Sequence, residues 1–488
     1  MEERKGFGTN FGFLMAAVGS AVGLGNIWGF PNKMGASGGF TFLVIYLVLA
    51  VLCGFIVMVG ELALGRKTHH GAVGAYKALS KKFKWMGWLG ILSAFFILFF
   101  YCALGGYCIK YTVLNIGDLF HAGFGANALA ETAAASGNSL GAEVFGAFMS
   151  SPTEAIIYGL IFVALTMVIV IGGVGGGIEK VCSVGMPALF VMLLICIIRA
   201  CTLEGAVEGL KYMFVPGWAV ANGVIEEAPN FLTVLSTAGG QMFFSLSLGM
   251  GAMITYGSYL DKKENLQKNA ILIIVMDTLV ALMAGLCVIP GRFALDPTGA
   301  LGGPKLLFIT MQNVFSRMGG FGPIFGILFY LLVVFAAVSS SISLLEVIVA
   351  HFVDKARNEG KGDMRKKYTL IAAACVGVGC ILVCADRLGD ASFTPWKLLN
   401  LPAESIRTWN DCWLDFWDML SEGIMMPLGA LLMSLMFGWE VGPEVVKEEC
   451  EQSGHAMGSY GFFKICIKYI TPLIMILILY GQIKEFFF

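Results

Sequence analysis

The chain has 488 residues, 57% hydrophobic and 13% charged, with a net charge of −1 at pH 7 and a mean hydropathy of +0.80. Soluble domains carry about 25% charged residues, so half that fraction argues against a soluble enzyme and for a polytopic membrane protein. Thirteen cysteines are scattered, mostly inside apolar runs, with no CxxC pair or His cluster to indicate zinc or a disulfide scaffold.

Apolar runs fall at about 11–36, 40–65, 88–115, 155–172, 181–203, 235–258, 268–291, 321–352, 368–385, 414–439 and 463–482, eleven candidate spans. The first contains an interruption, Gly19-Ser-Ala-Val-Gly-Leu-Gly-Asn26, flanked by Phe11–Val18 and Ile27–Phe30. Three glycines in seven positions are poor helix material, and unwound backbone inside a bilayer is tolerated only where it lines a cavity or is buried in protein. Its freed carbonyls are hard oxygen ligands suited to a small cation. This run shows no small-residue cleavage site and is expected to be retained.

Basic residues set the orientation. Arg4 and Lys5 precede the first run, Arg66 to Lys84 follow the second, Lys262 to Lys268 the sixth and Lys355 to Lys367 the eighth, whereas 118–154 contains no Lys or Arg. The N-terminus is therefore expected in the cytoplasm and, with an odd span count, the C-terminus outside. The segments 118–154, small and Ala/Gly-rich, and 386–411 are the longest aqueous loops. Gly172–Gly177 lacks the Lys-Ser/Thr of a phosphate loop and is read as a flexible connection between spans four and five.

A second interruption, Gln241-Met-Phe-Phe-Ser-Leu-Ser-Leu-Gly-Met-Gly251, opens the sixth run. Breaks five spans apart predict inverted repeats, 1–203 and 204–440, with a site at midplane and an eleventh span in 441–488. Asp277 lies in the apolar stretch Ile271–Pro290, where an ionised carboxylate costs at least about 2.5 kcal/mol unless it meets a cation. Its alternative is a protonated core acid.

At these residues the sequence resembles the neurotransmitter:sodium symporter family, in its bacterial amino-acid branch with eleven spans. The likeness rests on Gly19 to Pro31, Gly60-Glu-Leu-Ala-Leu-Gly-Arg66, Gly177-Ile-Glu-Lys180 with Met186-Pro187, Gln241 to Gly251, and Ser339-Ser-Ser341. It implies an all-α fold of two inverted five-helix repeats, helices 1 and 6 broken, plus an eleventh helix. It further implies sodium-driven uptake of an amino acid, with two sodium sites. One would use the Ala21 carbonyl, Asn26, Ser245, Asp277 and the substrate carboxylate. The other would use carbonyls of Gly19, Val22 and Ala336 with hydroxyls of Ser339 and Ser340. The plain alternative for Ser339–Ser341 is interhelical hydrogen bonding.

The resemblance places substrate among Ser20, Ala21, Gly23, Leu24, Gly25, Ile97, Tyr101, Phe244, Ser245, Ser247, Met250, Ser340 and Leu344. Tyr101 would hold the substrate carboxylate and Phe244 would be a lid, the alternative for both being core packing. Gly23 stands where monoamine carriers place an acid, so an α-amino acid is expected. The uncharged subsite of Ile97, Met250 and Leu344 favours an apolar or aromatic one. Ala281 stands where chloride-dependent relatives look to have a Ser, so Asp277 would supply the negative charge and make transport chloride-independent.

Arg4 and Asp354 resemble the family's inner gate pair, beside Ser258 and Tyr259, with Phe7 in place of a usual Trp; two solvated charges are the alternative. At the outer gate Gly29 replaces the expected Arg, Asp415 or Asp418 remains on the acidic side, and Lys33 is a candidate substitute one turn on. Glu61 would tie down the unwound backbones or pair with Arg66. The expected mechanism is alternating access in a bacterial-type inner membrane, with amino acid, sodium and lipid as partners and neither nucleic acid nor an obligate protein partner. The rivals are a passive channel, which needs a continuous polar pore, and a proton-coupled carrier of the same fold. An intramembrane enzyme would need a paired-aspartate or Ser/Lys constellation that the sequence lacks.

Overall fold

The computed structural model describes residues 7–300, 303–399 and 411–487. Arg4 therefore lies outside the described residues. Among those described, every regular element is helical and no strand occurs. Nine helices are long and apolar enough to cross a membrane: Phe40–Thr68, Met86–Leu119, Pro152–Ile171, Val174–Cys201, Leu266–Leu295, Gly319–Asn358, Arg365–Gly389, Trp413–Glu440 and Tyr460–Phe487. The first apolar run forms a bent pair, Asn10–Ala21 and Gly25–Ala36, at 44°. The sixth forms Phe231–Ser245 and Ala252–Gly257, separated by Leu246–Gly251. With these two broken spans the order matches the eleven predicted runs.

Apolar side chains on the outside of the bundle stay exposed, Val184 by 73% and Val378 by 70%, as a hydrocarbon surround requires and water would penalise. Several helices outrun their apolar stretches. The eighth continues through Asp354, Lys355 and Arg357 to Asn358, because Lys and Arg in the last turn suit the negative helix end. The fifth span begins earlier than predicted. The glycine cluster turns at Gly173 (φ 77°), forms a π turn at Val174–Ile178 and enters the helix directly.

The segment 118–154, expected as a loop, carries helices Ala130–Ser136 and Leu140–Met149. The second caps the bundle: Phe148 packs edge-on against Tyr107 at 5.1 Å, and Gly141 N donates to Asn313 Oδ1 at 2.7 Å. Helices Ala206–Phe214 and Met311–Ser316 also lie between spans. They are too short and too amphipathic to register as apolar runs. The described part of 386–411 is ordered by Asp411, whose carboxylate accepts from Thr394 Oγ1 (2.5 Å) and Trp396 N (3.0 Å).

At the face where the first span begins, Arg66 closes the second span on a fully buried ion pair with Glu449 at 2.7 Å. The same guanidinium donates to Glu264 O at 2.6 Å and to Glu449 O. Removing one partner of a buried pair strands the other. Arg66→Leu is therefore expected to destabilise the protein by about 3–5 kcal/mol, read as a lowered melting temperature in detergent. Substitution of the exposed Lys361 should stay within about 0.5 kcal/mol.

Candidate functional site

The first helix stops at Ala21 because other groups claim the amides that would close its next turn. Gly23 N donates to Asn26 Oδ1 (3.0 Å), Leu24 N to the Tyr101 hydroxyl (2.9 Å), and Asn26 N turns back to Gly23 O (3.1 Å). The carbonyls of Gly19, Ser20 and Val22 thereby lose their i+4 partners, and buried carbonyls need replacements. The eighth span supplies them. Ser339 Oγ lies 3.2 Å from Val22 O and 2.9 Å from Ala336 O. Ser340 Oγ lies 3.2, 3.1 and 3.3 Å from the carbonyls of Gly19, Ser20 and Val22. The predicted set Gly19, Val22, Ala336, Ser339 and Ser340 is thus one cluster of uncharged oxygens, a donor set that fits sodium without over-binding it.

The second cluster lies on the other side of the break. Asn26 Nδ2 contacts Ser245 Oγ (2.9 Å), Asp277 Oδ1 (2.7 Å) and Asp277 O (3.1 Å), and Ser245 Oγ lies 2.9 Å from Asp277 Oδ2. Tyr46, to which the sequence assigned no role, donates its hydroxyl to Asp277 Oδ2 at 3.3 Å. Asp277 is fully buried, and the side chains holding it are neutral. Ala21 is the last helical residue, so its carbonyl belongs to the same unpaired helix end.

The sixth span breaks for backbone reasons. Ser247 (φ 53°), Gly249 (φ 78°) and Gly251 (φ 80°) turn left-handed, a region in which glycine alone is unstrained. Gly249 N donates to Oε1 of the buried Glu61 at 2.7 Å. Glu61 thus ties the second span to this break, and Arg66 pairs elsewhere. The two breaks are stitched together: Ser247 Oγ donates to Ser20 O and Gln241 Nε2 to Gly25 O, each at 2.7 Å, while Ser20 Oγ reaches Ser343 Oγ at 2.8 Å. Gln241 stood at the head of the second interruption without a role assigned to it, and Ser343 was passed over. Their one signal was a polar group inside an apolar run.

Of the predicted substrate residues, Ser20 and Ala21 end the first helix, Gly23 and Leu24 lie in the first break with Gly25 just after it, Ser245 ends the helix before the second break and Ser247 lies within its turn. Tyr101 meets the first break through Leu24. Phe244 stacks on Phe100 at 6.4 Å and tilts against Tyr101 at 6.3 Å. A Cβ at Gly23 would fall 2.2 Å from Ser340 Oγ and 2.4 Å from the Tyr101 hydroxyl, so a side chain there would have to displace both. Ile97 and Leu344 are buried on the third and eighth spans. The Met250 backbone lies against Gly90, two turns before Ile97.

At the N-terminal face, Asp354 Oδ2 accepts from Gly71 N at 3.2 Å. Phe7 packs edge-on against Phe13, Tyr256 and Tyr259 at 5.5, 5.7 and 6.2 Å. At the opposite face Gln241 occupies the space beside Gly29, its Oε1 2.8 Å from where a Cβ would sit. The acid that meets Lys33 is Glu422, one turn beyond Asp418 and almost two beyond Asp415.

The sequence profile of the Sodium:neurotransmitter symporter family matches residues 4–120 and 151–394. An uncharacterized sodium-dependent transporter, YhdH of Bacillus subtilis, is 32% identical over 485 residues, 96% of this chain and 96% of that protein. An uncharacterized sodium-dependent transporter of Haemophilus influenzae is 29% identical over 492 residues, 98% of each. Among solved structures, MhsT in complex with L-phenylalanine superposes with a TM-score of 0.82 at 31% identity, covering 98% of this chain and 100% of that one.

The second break leads to a sharp expectation. A Cβ at Gly249 would lie 2.3 Å from Met426 O as well as requiring positive φ. Gly249→Ala should cost at least about 2 kcal/mol, seen as a lower melting temperature, whereas Gly146→Ala, in open space, should not.

Proposed function

Because this chain belongs to the Sodium:neurotransmitter symporter family and is a multi-pass, sodium-dependent transporter, we propose that it imports a neutral α-amino acid together with sodium by alternating access. The observation that carries this reading is the pair of oxygen clusters at the crossed helix breaks. The cluster around Ser339 and Ser340 is the second sodium site, and Asn26, Ser245 and Asp277 with the Ala21 carbonyl are the first. Sodium is cargo here. Its binding at the second site draws the end of the first half of the first span toward the eighth, since the carbonyls of Gly19 and Val22 come from one and the hydroxyls of Ser339 and Ser340 from the other.

Substrate enters between the breaks. Gly23 offers no acid to pair with an amine, so the carboxylate comes from the substrate and completes the first sodium site. Tyr101 then exchanges its Leu24 contact for that carboxylate, and Phe244 closes above it. Phe100, Phe244, Ile97 and Leu344 give the side-chain region an apolar character, which favours hydrophobic or aromatic amino acids. The complex of MhsT with L-phenylalanine is in keeping with that choice.

Asp277 balances the first sodium with a fixed negative charge, and Ala281, one turn on, offers no hydroxyl to an anion. Transport is accordingly chloride-independent. The carrier sits in an inner membrane with its N-terminus in the cytoplasm, the arrangement favoured by the basic segments.

The test is uptake of L-phenylalanine and a panel of amino acids into proteoliposomes. Uptake should require an inward sodium gradient and persist when chloride is replaced by gluconate. Uptake indifferent to sodium would overturn the reading, and collapse in gluconate would overturn the role given to Asp277. Asp277→Asn should lower the apparent sodium affinity by about tenfold or more, equivalent to ~1.4 kcal/mol. Ser339→Ala should do the same through the second site, measured by sodium titration of uptake.

A further inference from the structure

The first and sixth spans each have a half that points away from the N-terminal face, Phe30–Ala36 and Phe231–Ser245. In an alternating-access cycle these halves must swing to admit substrate, so whatever holds them is of mechanistic interest. Both are held from the same side, by the tenth and eleventh spans.

Lys33 on the first span forms an ion pair with Glu422 on the tenth, the two side chains being 20% and 8% exposed. Asp418 and Glu485 also lie in the field of Lys33. One cation thus serves several acids, and Lys33 has a strong reason to stay.

The eleventh span seizes the sixth by close backbone approach. A Cβ at Gly481 would fall 1.8 Å from Ser236 Oγ, and one at Gly239 would fall 2.3 Å from Ile478. Gln482, buried, donates its Nε2 to Ser236 O at 2.8 Å. The two grips meet over Gly240: the position of a Cβ there is 3.1 Å from Glu422 Oε1 and 3.2 Å from Gln482 Nε2. The Gln241 side chain occupies the space beside Gly29, its Oε1 2.8 Å from where a Cβ would sit.

We propose that Lys33, Glu422 and Gln482 form the outer latch of this carrier, and that the eleventh span takes part in gating by fastening the outer half of the sixth. The latch rests on the alternating-access reading above. Its residues are positioning residues: they touch neither substrate nor sodium, and they set the balance between closed and open outer faces.

Hydrogen–deuterium exchange on the full-length protein in nanodiscs, with sodium alone and with sodium plus L-phenylalanine, tests this alongside uptake. Lys33→Ala, Glu422→Gln and Gln482→Leu should each raise exchange in 30–36 and 231–245 by about tenfold, the scale of a disrupted half-buried ion pair or hydrogen bond. Exchange in Asn10–Ala21 should be unchanged, which separates release of a latch from general loosening. The maximal rate of L-phenylalanine uptake should fall while sodium-dependent protection of the break is kept. The charge exchange Lys33→Glu with Glu422→Lys should restore slow exchange at least in part, which a misfolded single variant could not explain. Wild-type exchange and uptake in Lys33→Ala and Glu422→Gln would overturn the latch. Wild-type behaviour in Gln482→Leu alone would remove the eleventh span from it. A wild-type protein that takes up no amino acid with sodium would overturn the underlying reading, whatever the variants do.

Discussion

Everything in this molecule follows from three carbonyls that a helix has abandoned. Gly19, Ser20 and Val22 lie in the apolar interior with no amide at i+4 to receive. In hydrocarbon each such group costs several kcal/mol if left alone. The eighth span answers with Ser339 and Ser340, and the sixth with Ser247. This explains why the break sits where the spans cross: an unwound segment is affordable only against elements that carry spare hydroxyls. The same oxygens that complete one another in this arrangement are the ones that a small cation would bring together.

A second constraint supports the first. The break in the sixth span is fixed by backbone geometry at Gly249 and Gly251 and by Glu61, which takes the amide of Gly249 from a neighbouring helix. The first span is therefore interrupted by competition for its amides and the sixth by conformation. Two different local causes give one common depth, and the stitches from Ser247 and Gln241 keep the breaks in register.

Much of this was legible in the residues. Long apolar stretches are the strongest signal a sequence carries, and the glycine, serine and asparagine cluster at 19–26 stands out inside one. The fold of inverted repeats with broken helices followed from where the breaks fall, whereas the serines at 339–341 were singled out by the family resemblance, their place in an apolar run alone being equally consistent with interhelical hydrogen bonding. Less legible were elements whose burial depends on partners far along the chain. Leu140–Met149 has too short an apolar face to announce itself and is stabilised by Tyr107 and Asn313, distant in sequence. Glu422 was invisible as the partner of Lys33 because its role depends on which turn of the tenth span faces the first, a matter of helix rotation that composition does not encode. Tyr46 and Gln241 were hidden for a similar reason: a single polar atom on an apolar helix declares its presence but not its addressee.

Phe7 carries a thermodynamic consequence of its own. Its ring is wedged edge-on among Phe13, Tyr256 and Tyr259, joining the start of the first span to the short helix after the sixth span's break. Any motion that parts these elements wets four aromatic faces at once. Hydration of such surface raises heat capacity, so the equilibrium between the parted and joined arrangements must bend with temperature instead of following a straight van't Hoff line.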